Sequence, residues 1–173
     1  MSRLTTDRLI TLLTEYVRKT GATVDLLLVG GLALQAYGDV DRATQDVDGE
    51  LVGELAPLVQ FLAERQVPAD LGENISGWSV VAMPPGYRDR ASVLVEKRGL
   101  RVRLLAPTDF IVAKLRRGTD LDLEDAASVA KRFTVTAAMV KAAADAALGA
   151  SPQETTLFAF RKAVDLFCGR ITL

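Results

Sequence analysis

The sequence predicts an α+β fold, with a small sheet in the N-terminal half and helices in the C-terminal half. Three observations predict it. The apolar run from Leu26 to Val29 reads as a buried strand that Gly30-Gly31 breaks. Residues 92–96 and 100–105 read as a hairpin around Lys97-Arg98-Gly99. Beyond Leu105 the chain is helical, with cap and stop residues between the segments. Strands first and helices afterwards point to segregated elements rather than a doubly wound sheet. One domain is expected over residues 1–173, with an α/β core in 1–106 and a helical part in 107–173.

In order, residues 5–20 carry Leu9, Ile10, Leu13, Tyr16 and Val17 on one helical face, with Thr5 or Thr6 as cap and Gly21 as stop. After the Leu26–Val29 strand, Leu32–Tyr37 reads as a short helix, and a polar loop leads to Asp46-Val47-Asp48. Residues 54–66 form a helix with Leu55, Leu58, Val59 and Leu62 at helical spacing. A weak strand is expected near Trp78–Met83, with Trp78 in the core, and then an exposed YRDRA loop. In the hairpin, a two-residue turn at Arg98-Gly99 puts Val93, Val95, Val102 and Leu104 on one face and Glu96 opposite Arg101. Thr108 is expected to cap a helix that Gly118 stops, and Thr119 to open one with an acidic first turn. An alanine-rich helix runs from Thr136 to Leu148. The last helix is expected to start at Ser151 and Pro152, with Glu154 closing a capping box.

Composition narrows the chemistry. With 49% hydrophobic and 25% charged residues the chain can bury a core, and its net charge of -1 exerts no general pull on nucleic acid. No apolar run approaches the roughly 20 residues that span a membrane, and the N-terminus shows no signal-peptide pattern. The single Cys168 allows no internal disulfide, so a reducing, cytoplasmic setting is expected. The absence of histidine removes Ser-His-Asp and Cys-His machinery and the usual zinc sites. Oxygen ligands remain, and these favour magnesium, manganese or calcium.

The residues that carry chemistry lie between Val24 and Leu51. On a strand, Asp46 and Asp48 share one face while Val47 points the other way. Two adjacent carboxylates near a helix that starts at paired glycines form a candidate site for a divalent metal and phosphate. A dinucleotide fingerprint is excluded, because Gly30-Gly31 is followed by Leu-Ala-Leu-Gln rather than G-x-G-x-x-G. A calcium loop from Asp39 to Glu50 is excluded too, with Ala43 at a ligand position and Thr44 where the turn needs glycine.

The spelling V-G-G-L-A-L-Q-A-Y-G, then R-A-T-Q-D-V-D, resembles the DNA polymerase β-like nucleotidyltransferase superfamily. With Ala113-Lys114-Leu115 and Asp122-Leu123-Glu124-Asp125 it looks most like the AbiEii-type toxin branch and its small uncharacterised relatives, over roughly residues 24–130. The resemblance implies a mixed, mostly antiparallel sheet flanked by helices, with a C-terminal helical bundle. It also implies transfer of a nucleotide from an NTP to an acceptor hydroxyl on RNA (tRNA) or protein, with Mg²⁺ or Mn²⁺. A toxin–antitoxin setting, with a cognate antitoxin or a homodimer as partner, follows from the same likeness. Asp46 and Asp48 would hold metal, Gly30, Gly31 and Arg42 the nucleotide, and Lys114 the substrate phosphates. Glu96, Asp122 and Asp125 are the candidate bases. The sequence departs from the superfamily in having Gly-Gly for Gly-Ser and no evident third carboxylate. Those departures motivate the alternative of a catalytically silent binding module.

Each residue also has a plainer role open to it. Thr44 and Arg42 can organise the loop through hydrogen bonds to the aspartates, and Lys114 can be a snorkelling surface lysine. Asp122 and Asp125 can be helix-dipole partners, and Glu96 a salt-bridge partner of Arg101. Arg101, Arg103, Arg116 and Arg117 are either a basic edge for RNA or scattered solvated charges.

Overall fold

A computed structural model describes residues 3–153 and 157–172. The chain forms two compact units. One runs to Asn74 and includes Ala91–Leu104; the other comprises Ile75–Arg90 and the chain from Leu105 onward.

The first unit contains a five-stranded sheet of β1 (Val24–Leu28), β2 (Val47–Val52), β3 (Ala69–Gly72), β4 (Ser92–Lys97) and β5 (Leu100–Leu104). Its order is β3-β2-β1-β5-β4. The sheet is mixed, as the sequence implies, but its pairs divide evenly. β1–β2 and β4–β5 are antiparallel, while β1–β5 and β2–β3 are parallel. Three helices belong to this unit: α1 (Thr6–Thr20), α2 (Gly31–Ala36) and α3 (Leu55–Ala63). The Thr5 hydroxyl accepts from the Arg8 N–H at 3.2 Å, and Gly21, at φ 70°, ends α1 in the left-handed conformation that glycine adopts without strain. Val24, Leu26, Leu28, Val47, Leu51 and Val102 are buried on one face of the sheet, and Leu9, Leu13, Leu58 and Leu62 of α1 and α3 are buried as well. Cross-strand register puts Asp25, Asp48, Glu50, Arg101 and Arg103 on the opposite face. There Arg103 donates to Asp25 at 2.8 Å.

Two features of the sheet differ from expectation. β3 replaces the strand expected near Trp78–Met83. Residues 75–78 form a 3₁₀ turn, and Trp78 is 45% exposed rather than in the core. The hairpin turn and the Glu96–Arg101 pairing match the sequence reading, but a bulge between Val93 and Val95 slips the register by one. Val93 therefore pairs with Arg103 and is exposed, because the extra residue in a bulge reverses the alternation beyond it.

The second unit is helical: α4 (Tyr87–Arg90), α5 (Pro107–Arg117), α6 (Asp120–Arg132), α7 (Ala137–Gly149) and α8 (Leu157–Ile171). α5 packs on α6, α7 and α8, and α8 also meets α6 and α7. Phe110, Ile111, Val140, Leu157, Phe160, Val164 and Phe167 form its interior. Pro107 starts α5, so Thr108 lies inside the helix and Ala106 is its cap. The YRDRA loop is the short helix α4. Its Arg90 grips the buried Asp109 with two hydrogen bonds of 2.9 Å, while Tyr87 is buried. Ser151 does not open α8. Its hydroxyl donates to the Ala147 carbonyl at 2.7 Å and accepts from the Ala82 N–H at 2.8 Å, closing α7 instead. Glu154 lies outside the described residues. Among the described residues, no helix is long and apolar enough to cross a membrane.

Candidate active site

The site is assembled where β1 runs into α2. β1 ends at Leu28, and the Val29 N–H donates to the Asp48 carbonyl at 3.1 Å, which ties the turn to the neighbouring strand. Gly30 caps α2 and Gly31 is its first residue. Val47 is wholly buried, so Asp46, just before β2, and Asp48, on it, stand on the other face as the sequence predicts.

The paired glycines bring helix and acids into contact. A Cβ on Gly30 would lie 1.8 Å from Asp48 Oδ2, and one on Gly31 would lie 2.7 Å from Thr44 Cβ. Neither separation is compatible with a side chain at the glycine. The Thr44 hydroxyl donates to Asp46 Oδ1 at 2.9 Å, as the loop-organising reading predicts. Arg42 is held through its backbone: its carbonyl accepts from Gln35 Nε2 at 2.8 Å, and its N–H donates to the Asp39 carbonyl at 3.1 Å. Gly30, Gly31 and Asp48 thus meet at one turn of the first unit, with Asp46 tied in through Thr44, while Arg42 is anchored to Gln35 nearer the end of α2. Gly30→Ala is expected to push the Asp48 carboxylate aside. The obstacle is side chain rather than backbone, but it includes Asp48 Cγ at 2.6 Å and Cβ at 2.8 Å as well as the carboxylate oxygen. The strand must therefore give a little, and the fold should survive at a cost of about 1–3 kcal/mol. Urea denaturation checks the cost, and a Mn²⁺ titration should show weakened binding.

Sequence reasoning missed Asp70. β3 lies beside β2 in parallel, with Asp70 paired to Asp48. Directly paired residues point to the same face, and the strands are about 4.8 Å apart, so a third carboxylate stands level with the acidic pair. The signal was the apolar–acid–apolar triplet Ala69-Asp70-Leu71 after Pro68. Glu50 continues the period-two acid series along β2 but is buried. The donors are hard oxygens, which suits Mg²⁺ or Mn²⁺. The glycines leave room for the acids to approach the start of the helix. Among the described residues, no three such side chains converge as a ready-made cage.

Glu96 is not brought to this turn. It is on β4, three strands away from β2, and pairs with Arg101 at 2.8 Å. Lys114, Asp122 and Asp125 belong to the second unit, where they bind one another. Lys114 Nζ donates to Asp125 Oδ2 at 2.8 Å and Asp122 Oδ1 at 3.3 Å, and is buried rather than snorkelling. Arg117 reaches Asp122 with two bonds of 2.7 and 2.6 Å. Asp122 also forms a capping box with Thr119, whose hydroxyl donates to it at 2.7 Å. Burial works against the Asp122 charge. The Arg117 and Thr119 hydrogen bonds and the Lys114 attraction outweigh it and hold the carboxyl well below the ordinary aspartate range. Arg101, Arg103 and Arg117 each face a carboxylate, and Arg116 donates to the Ile75 and Ser76 carbonyls, each at 2.9 Å.

A solved structure with the same fold is an antigenic nucleotidyltransferase-like protein from Paracoccidioides brasiliensis. It is 14% identical, with a TM-score of 0.51, over 98% of this chain and 91% of that one. No curated protein matches the sequence. Residues 7–153 match the family described as nucleotidyltransferase of unknown function (DUF6036). The match takes in β1, the glycine turn and the acidic strand, and the chain belongs to this nucleotidyltransferase family.

Proposed function

We propose that the protein is a metal-dependent nucleotidyltransferase that moves a nucleotide from an NTP to an acceptor hydroxyl on RNA or protein. The observation that carries this reading is the interlock of Gly30-Gly31 with Asp48 and Thr44, which fixes the acidic pair against the start of a helix in a chain of this family. Asp46 and Asp48 are the residues that would hold Mg²⁺ or Mn²⁺. When bound, the cation polarises the α-phosphate and makes the acceptor hydroxyl more acidic. The acceptor oxygen bonds to the α-phosphorus as the bond to pyrophosphate breaks, and Asp70, level with Asp48, takes the hydroxyl proton. The Gly31 and Leu32 amides come before the first intrahelical bonds, which Ala33 and Leu34 donate to the Gly30 carbonyl, and they are the donors assigned to the triphosphate. Arg42 supplies positive charge from the same loop.

Lys114 and Asp122 enter as the brace between α5 and α6, since their polar atoms are already satisfied by one another and by Arg117. The spelling shared with the AbiEii-type branch extends the proposal to a cytoplasmic toxin–antitoxin component, with a cognate antitoxin or a second copy as partner.

Binding is tested by thermal denaturation with Mg²⁺ and each NTP in turn. At a hundredfold excess over Kd the favoured nucleotide should raise the midpoint by about 5–10 °C. The same addition should leave an Asp46→Asn/Asp48→Asn variant unmoved. A wild-type midpoint indifferent to every nucleotide would count against the reading.

A further inference from the structure

The glycines at the start of α2 are not open notches. Asp48 Oδ2 lies 1.8 Å from where a Cβ on Gly30 would be, and Thr44 Cβ and Oγ1 lie 2.7 and 2.8 Å from the equivalent point on Gly31. A side chain at either glycine and the present side chain of Asp48 or Thr44 exclude one another, because packed interiors leave no such overlap. Thr44 is therefore held on two sides. Its body sits against Gly31, and its hydroxyl is on Asp46 Oδ1 at 2.9 Å.

Asp46 itself is exposed and lies just outside β2. A side chain in that setting exchanges among rotamers and loses that freedom when it must close on a cation together with a neighbour. A hydroxyl already seated against Gly31 restricts Asp46 in advance, which is how support around a ligand raises its effectiveness.

We propose that Thr44 is a positioning residue for the acidic pair and that Gly31 is the socket that seats it. Gly31, Thr44 and Asp46 then act as one unit that prepares the site for a divalent cation. The inference rests on the reading of Asp46 and Asp48 as cation ligands. It gives position 31 a reason to be glycine that is independent of any phosphate: a side chain there would evict Thr44.

The test titrates Mn²⁺ without nucleotide, following free Mn²⁺ by electron paramagnetic resonance. The proteins are wild type, Thr44→Val, Thr44→Ser and Asp46→Asn/Asp48→Asn. Thr44→Val keeps the shape and loses the hydroxyl, so its affinity should fall about tenfold, the scale of one hydrogen bond to a charged group. Thr44→Ser should stay within about twofold of wild type, because the hydroxyl remains. Thr44→Val binding as wild type does, or Thr44→Ser as weak as Thr44→Val, would overturn the positioning role. Binding unaffected by Asp46→Asn/Asp48→Asn would overturn the cation reading, and this inference with it, in a separate arm.

A second measurement needs no metal. Gly31→Ala should lower the unfolding midpoint by several degrees when Thr44 is present. In a Thr44→Gly background it should leave the midpoint unchanged or raise it, since alanine is the better helix residue once the socket is empty. Equal losses in both backgrounds would remove the socket.

Discussion

Changing Asp46 and Asp48 together to asparagine is expected to abolish transfer while the protein stays folded. The two carboxylates share a face two residues apart. A cation held between them relieves their mutual repulsion, and a neutral amide offers it far less. Asparagine keeps the shape and still offers Thr44 an acceptor, so the fold should be retained. Loss of the cation ligands should lower the transfer rate at least about a thousandfold. Calorimetry and single-turnover kinetics read the two effects separately. A purely structural role for the pair would show as a lost calorimetric transition, and transfer that survives in a folded variant would remove its catalytic role.

The largest loss of stability is expected at Lys114. Replacement by methionine keeps the bulk but leaves Asp122 and Asp125 buried without their shared cation, which should cost about 3–5 kcal/mol. In a chain of this size that lowers the midpoint by about 10 °C. Arg117 still contacts Asp122. The pH dependence follows from the depressed Asp122 pKa. Its contribution is complete above the ordinary aspartate value of 3.8 and is lost as the pH falls below it, because the unfolded chain takes up the proton first. Urea midpoints from pH 7 down to pH 3 should therefore hold nearly level and then fall, with a shallower fall in Asp122→Asn. A Lys114→Met protein of undiminished stability but much poorer KM for NTP would place Lys114 on substrate instead.

Much of the fold was legible where local chemistry decides it. Thr5 and Gly21 mark the ends of α1 in the sequence and cap it in the structure, and Thr119 opens α6 as its spacing predicts. The strand–Gly-Gly–helix turn and the facing of Asp46, Val47 and Asp48 follow from periodicity alone. What escaped depends on contacts between distant segments. Ala69-Asp70-Leu71-Gly72 has no strong strand former and becomes β3 by pairing with β2, so its acid escaped notice with it. The bulge at the hairpin is a register event that no residue type announces. Arg90 and Asp109 find each other nineteen positions apart, turning a polar loop into an anchored helix. Lys114, Asp122 and Asp125 were visible as a set, but only packing shows that Lys114 is buried between the two acids.

Nucleotidyl transfer by the acidic pair is open to direct measurement. Its most direct test incubates the protein with each α-³²P-NTP and Mg²⁺ or Mn²⁺, with total RNA present, and follows label into RNA and into the protein itself. Label from wild type is expected with at least one nucleotide, dependent on the metal and absent with Asp46→Asn/Asp48→Asn. Label that persists undiminished in that variant, or none from wild type with any nucleotide and either metal, would contradict it.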